Sequence, residues 1–364
     1  MSNIVLWIIV IFSIIGGIDR LFNNRYGLGE KFEEGFKSMG GLAISMIGII
    51  SLAPVMCQLI MPVLSSLSKL TGADPSVFTS SILAVDMGGY ATSIEIAKNQ
   101  NIAQFTGLIL ASMMGATISF TIPIAINMIS KEDFPYFAKG ILAGIVTIPI
   151  GMLVGGTVMK IEYKDILLNL IPVIILSIII TIGLLKFEQK MIRIFTILGK
   201  VIVIISTIGF LISILDFVLG IELIPNMISF EDGIIIVGKI AVILSGAYPL
   251  LNFIYKIFDK RLSKISEKLG INEFSCMGLI TSLANSVPMI GIYDKMDDKG
   301  KTINAAFAVS GAFTFGGQLG YISTVSKDMV TPFILAKLSA GISSIILANL
   351  LIALEGLEEK AFKY

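Results

Sequence analysis

Apolar stretches of close to 20 residues recur along the whole chain, near 3–18, 39–63, 104–128, 138–158, 165–185, 201–219, 234–254, 303–323 and 331–354. A stretch of that length crosses about 30 Å of hydrocarbon as an α-helix. Two further stretches, near 76–97 and 274–294, are interrupted, one by Asp86-Met87-Gly88-Gly89 and the other by Asn285-Ser286-Val287-Pro288. The alternating ten-residue segments of a membrane β-barrel are missing from the pattern. It predicts an all-α polytopic membrane protein with about ten transmembrane helices. The first run, Asn3 to Ile18, has neither a charged leading region nor a small-residue cleavage site, so it reads as a retained helix and not a signal peptide.

The pattern repeats at an offset of about 198 residues. Phe32-Glu33-Glu34-Gly35, Gly40, Leu42 and Ala43 recur as Phe230-Glu231-Asp232-Gly233, Gly238, Ile240 and Ala241. Asp19 matches Asp216, and Ser130-Lys131-Glu132 matches Ser326-Lys327-Asp328. Ala138-Lys139 returns as Ala336-Lys337, and Ala143-Gly144-Ile145 as Ala340-Gly341-Ile342. The two interrupted segments also fall opposite each other. So many matches in order point to a duplicated chain.

Charge then discriminates between topologies. If both interrupted segments cross the membrane, the 25 loop and terminal Lys and Arg divide 12 to 13, which is no bias. If both enter and leave on one side, only Lys69, Lys98, Lys160, Lys164 and Lys327 lie outside, and the other 20, Lys260, Arg261 and Lys363 among them, lie inside. The excess of basic residues in cytoplasmic loops favours the second arrangement. It places two re-entrant hairpins in two inverted-topology repeats, because five crossings separate equivalent helices. The expected organisation is a first repeat over 1–160 (hairpin about 76–97), a linking helix within 161–196 and a second repeat over 197–364 (hairpin about 274–294). The N-terminus is outside and the C-terminus cytoplasmic, in the inner membrane. Inverted repeats with broken helices are a recurring plan of secondary transporters, and irregular backbone at membrane depth survives where protein or a wet cavity satisfies it.

Composition agrees. The chain is 55% hydrophobic and 15% charged, with mean hydropathy +0.90, net charge +1 and no histidine. The charge offers nucleic acid no basic face. Without histidine, zinc-protease ligation and Ser/His or Cys/His catalysis are excluded. Cys57 and Cys276 suggest neither a disulfide framework nor metal spacing. A paired-aspartate protease needs two facing carboxylates, and Asp86 has Asn285 opposite it in the repeat. These features speak against an enzyme, and no cofactor is implied.

Several stretches resemble the ethanolamine utilization EutH family of permeases. They are Phe36-Lys37-Ser38-Met39-Gly40 with Leu52-Ala53-Pro54-Val55; Leu83-Ala84-Val85-Asp86-Met87-Gly88-Gly89-Tyr90; Gly107 to Leu110 with Ser112 to Gly115; Leu142 to Gly151; Ala284 to Met289; and Asn304 to Phe307 with Ala312-Phe313. The resemblance covers essentially the whole chain and implies uptake of ethanolamine. In the family pattern an acidic residue and a histidine stand where this chain has Gly317-Gln318. A related small amine is therefore a second expected partner.

Ethanolamine is a cation near neutral pH with one hydroxyl, so its site needs a carboxylate or aromatic faces plus a few dipoles. Asp86 is the first candidate, since an intramembrane carboxylate is functional by default; its bland role is to cap a half-helix. Asn285 is its repeat partner, with Ser282 and Thr281 beside it, and its bland role is to satisfy the broken backbone. Ser310, Thr314 and Gln318 fall at i, i+4 and i+8, which one helical face would share. Ser112 and Ser119 lie on the equivalent span, where close helix packing is the commoner use of small residues. Tyr90 and Tyr321 offer ring faces or sit in an interfacial belt. Glu95 reads as a solvated loop residue, and Asp19, Asp216 and Lys239 as helix-end groups. The run from Lys256 to Lys268 reads as a cytoplasmic anchor.

Together these features predict a permease with a central site between two hairpin tips and alternating access. The alternatives are an ion-coupled symporter, with Na⁺ or H⁺, or a channel-like facilitator for another small polar solute. A homo-oligomer is compatible with either.

Overall fold

The structure, a computed structural model, describes residues 2–259 and 262–361; Lys260, Arg261 and Lys363 lie outside the described residues. The described chain is helical with no strand. Its elements are α1 (Ser2–Leu21), α2 (Leu28–Thr71), α3 (Ser76–Ser80), α4 (Tyr90–Ile96), α5 (Gln100–Gln104), α6 (Ile122–Met128), α7 (Phe134–Val158), α8 (Tyr163–Lys186), α9 (Glu188–Leu219), α10 (Phe230–Asp259), α11 (Leu262–Leu269), α12 (Glu273–Ser282), α13 (Ser286–Gly291), α14 (Asp298–Ser310), α15 (Gly317–Val325) and α16 (Val330–Ala361). Wide π-type turns fill Phe105–Gly115 and Thr117–Thr121, making one rod from α5 to α6. Eight helices among the described residues are long and apolar enough to cross a membrane. The stretch expected as a span at 303–323 is instead two helices, α14 and α15, joined by turns over 311–316.

Each interrupted segment leaves and returns to one place. Asp74 precedes α3, and its carboxylate accepts the Ser76 amide at 3.0 Å and the Lys98 amide beyond α4 at 2.9 Å. In the second half Asn272 caps α12 through the Ser275 amide at 2.9 Å. Its own amide donates to Asp297 at 2.7 Å and its side chain donates to the Lys295 carbonyl at 2.8 Å. Both segments are thus chain excursions whose feet are tied by polar side chains.

Corresponding helices of the two halves pack against each other and run in opposite directions. The α5–α6 rod begins near the end of α15, where Gln104 Nε2 donates to Ser326 Oγ at 3.2 Å. Beyond the other end of the rod, Asp133 accepts from Lys301, near the start of α14, at 2.5 Å. Gly35, early in α2, lies against Ser245, midway along α10, while Gly233, early in α10, lies against Ile47, further along α2. Likewise Gly151 and Gly155, late in α7, lie against Ala336, early in α16.

Small residues set these approaches. A Cβ added at Gly115 would overlap the Leu83 and Ser80 carbonyl oxygens, and one at Gly107 would come within 2.8 Å of the Ser93 side chain. The first excursion therefore lies flush on the rod. Gly115→Val is expected to unseat it, with a stability loss of about 2 kcal/mol or more from overpacking. Thermal unfolding in detergent reads the loss.

Candidate functional site

The first excursion turns between α3 and α4. The backbone of Ala84 is extended, Met87 has φ −113° and Gly88 has φ +93°, a left-handed setting that favours glycine. At Gly88 a side chain would also meet Ile49. Ser119 accepts the Ala84 amide at 3.1 Å, so the rod satisfies the tip. Asp86 lies on this turn, half-buried. Its carboxylate faces its own backbone amide and the charge of Lys337. Ala84, the residue that opens the turn, makes no side-chain capping bond.

Lys337 is 1% exposed. It stands about 10 Å along α16 from Val330, by the rise of an α-helix. Its ammonium donates to the Ser112 carbonyl at 2.7 Å and to Gln318 Oε1 at 2.8 Å, and it lies 5.5 Å from the Phe333 ring. The π-type turns make the first of these possible. The Ala116 amide donates to the Ala111 and Met113 carbonyls and passes over Ser112. Tyr321 and Tyr90 complete the cluster, packed edge to face with centroids 6.3 Å apart. Both rings are buried, so neither belongs to an interfacial belt. Gln104 lies near Tyr90, and its Nε2 donates to Ser326 Oγ at 3.2 Å.

Gln318 is thus part of a charge cluster, but its expected face is not formed. Ser310 ends α14, Thr314 lies in the break and bonds the Gly311 carbonyl, and Gln318 opens α15. The break arises because the second excursion supplies acceptors for it. The Phe313 amide donates to the Ser282 carbonyl and the Phe315 amide to the Leu283 carbonyl, both at 2.9 Å, while Phe313 takes φ +61°. A side chain at Gly316 would overlap the Ala284 carbonyl oxygen. The Ser282 hydroxyl itself bonds the Leu279 carbonyl. Asn285 caps α13 by accepting the Val287 amide at 2.9 Å, so its backbone role is realised. It also lines a cleft of about 370 Å³ with Thr281, Tyr248, Tyr255, Lys31 and Glu34, which is separate from the residues around Asp86. Ser112 contributes its carbonyl, and its hydroxyl bonds Ile109. Glu95 is exposed.

Five of the nine candidate residues therefore come together: Asp86, Gln318, Ser112, Tyr90 and Tyr321. Lys337 had no place among those candidates; its only sequence signature was half of a repeated Ala-Lys pair. It is nonetheless the sole charged residue in the run 331–354, and a lone intramembrane charge is a signal of function in its own right. Gln318→Leu is expected to leave the buried ammonium short of an acceptor and to cost about 1–3 kcal/mol of stability, readable as a lower unfolding temperature.

The family described as "Ethanolamine utilisation protein, EutH" matches residues 1–351. The chain belongs to the EutH family. It is 44% identical over 344 residues to the "Probable ethanolamine permease EutH" of Listeria monocytogenes, covering 94% of this chain and 92% of that protein. It is 43% identical to the "Uncharacterized protein YxeR" of Bacillus subtilis, covering 94% and 93%. Against the "Probable ethanolamine permease EutH" of Escherichia coli it is 37% identical, covering 97% and 96%. No solved structure matches the chain. Membership in EutH agrees with the resemblance in the sequence and with the apolar helices of a multi-pass membrane protein.

Proposed function

We propose that this EutH member is a permease that carries ethanolamine, as its protonated amine, across the inner membrane into the cell. The observation that carries this reading is the carboxylate of Asp86, half-buried on a broken turn, facing Lys337 and the Tyr90–Tyr321 pair. Asp86 binds the ammonium, the rings line it, and the amide nitrogen of Gln318 donates to the hydroxyl. The names of the relatives point to the same substrate.

The tied feet of both excursions support reading them as re-entrant hairpins. The opposed directions of paired helices support inverted repeats over 1–160 and 197–364, joined by the helix within 161–196. Such repeats exchange conformations to expose one site to each side in turn. The cleft at Asn285 is the vestibule on the cytoplasmic side, with the C-terminus on that side and the N-terminus outside. Tyr90, with the bonded pair Gln104 and Ser326, closes the outer side. Uptake of labelled ethanolamine by proteoliposomes tests the reading. Saturable uptake above protein-free vesicles supports it, and folded protein that takes up none refutes it.

A further inference from the structure

Lys337 raises a question of charge that the proposed amine site does not answer. The ammonium is buried and is held by two neutral oxygens, of Ser112 and Gln318. The acidic group whose charge acts on it is Asp86, on the turn beside α15 and outside direct ion-pair contact. Titratable groups around this pair are Tyr321 on α15 and, behind it, Tyr90 on α4. The rod segment Phe105–Gly115 brings none, and neither does the part of α7 from Gly151 to Gly155 that packs beside Lys337. So one half-buried carboxylate is the counter-charge to one buried cation.

A second cation on Asp86 would stand next to Lys337 without a second anion. At low dielectric, like charges a few ångströms apart repel strongly, and an uncompensated buried charge is among the costliest arrangements in a protein. Lysine, unlike arginine, escapes this by giving up its proton. The neutral amine still donates to both oxygens that hold it.

We propose that Lys337 is the counter-cation of the empty site, that a substrate ammonium displaces its charge from Asp86, and that each amine carried inward is exchanged for one proton. The inference rests on the reading of Asp86 as the amine site. When the site faces outward and the amine binds, one N–H bond of the Lys337 ammonium breaks. The proton passes to external water and the electron pair stays on Nζ. When the amine leaves on the inner side, Nζ takes a proton from water there. One ammonium has entered, one proton has left, and no net charge has crossed.

Proteoliposomes with separately imposed pH gradients and potassium-diffusion potentials test this, using labelled ethanolamine. Protein-free vesicles and Asp86→Asn protein set the baseline for neutral amine crossing the lipid. Wild-type saturable accumulation is expected to reach about tenfold for an exterior one pH unit more alkaline, and to ignore the potential. Lys337→Gln is expected to ignore the pH gradient and to accumulate about tenfold for roughly 60 mV, interior negative. Wild-type accumulation that follows the potential would overturn the proposal, as would a Lys337→Gln protein that still follows the pH gradient. Should that variant not fold, the wild-type dependence alone decides. Exchange of labelled for unlabelled ethanolamine, which needs no net proton movement, separates the two readings. Exchange with the wrong driving force removes only the proton step, whereas no exchange by folded protein removes the amine site and the proposal with it.

Discussion

Asp86→Asn is expected to lower saturable ethanolamine uptake by about a hundredfold or more while leaving a folded protein. The magnitude follows from the environment. Breaking a buried charge pair by removing one partner costs about 3–5 kcal/mol, and each 1.4 kcal/mol is about tenfold. An amide keeps the shape of the carboxylate and removes the charge that pairs with the ammonium. Folding is expected to survive because Lys337, left without the facing carboxylate, gives up its proton and keeps its bonds to Ser112 and Gln318. The measurement is initial uptake rate in proteoliposomes beside the unfolding temperature of the same preparation. An Asp86→Asn protein with full uptake would assign the amine to another group.

The second large effect concerns stability, at the foot of the second excursion. Lys301 is nearly buried and contacts Asp133 at 2.5 Å, Asp298 at 3.7 Å and the Tyr136 ring at 5.6 Å. Tyr136 also donates to Asp298 at 2.8 Å. These contacts fasten the start of α14 to the start of α7. Lys301→Met is expected to cost about 3–5 kcal/mol, because it strands the Asp133 carboxylate in a largely buried place. Adding Asp133→Asn to that variant removes the stranded charge and is expected to restore part of the loss, a coupling of about 1–3 kcal/mol. Unfolding temperatures of wild type, the two single variants and the double variant measure it. Additive losses would show that the pair contributes little to the fastening.

The sequence made Asp86 legible, since a carboxylate beside two glycines in an apolar stretch has few uses other than binding. It also disclosed the interruptions at 76–97 and 274–294, because polar and breaking residues stand where apolar ones are needed. The break at 311–316 was harder to see. Gly311, Gly316 and Gly317 mark it, but the turn there exists because Ser282 and Leu283, about 30 residues earlier, offer carbonyls to Phe313 and Phe315. No local pattern shows such a partner, so Ser310, Thr314 and Gln318 looked like one face. Tyr90 and Tyr321 were ambiguous for a related reason: belt and core tyrosines differ in what surrounds them, not in spacing. Lys337 was legible in principle as a lone charge in an apolar run. Its bond to Ser112 depends on π-type turns in another helix, which hydrophobic spacing does not reveal.

The most direct test of the account is a structure of the protein determined with ethanolamine bound. The account predicts the amine within hydrogen-bonding distance of the Asp86 carboxylate, against the Tyr90–Tyr321 pair. Ethanolamine held only in the cleft at Asn285, with Asp86 and Lys337 still facing each other, would contradict it.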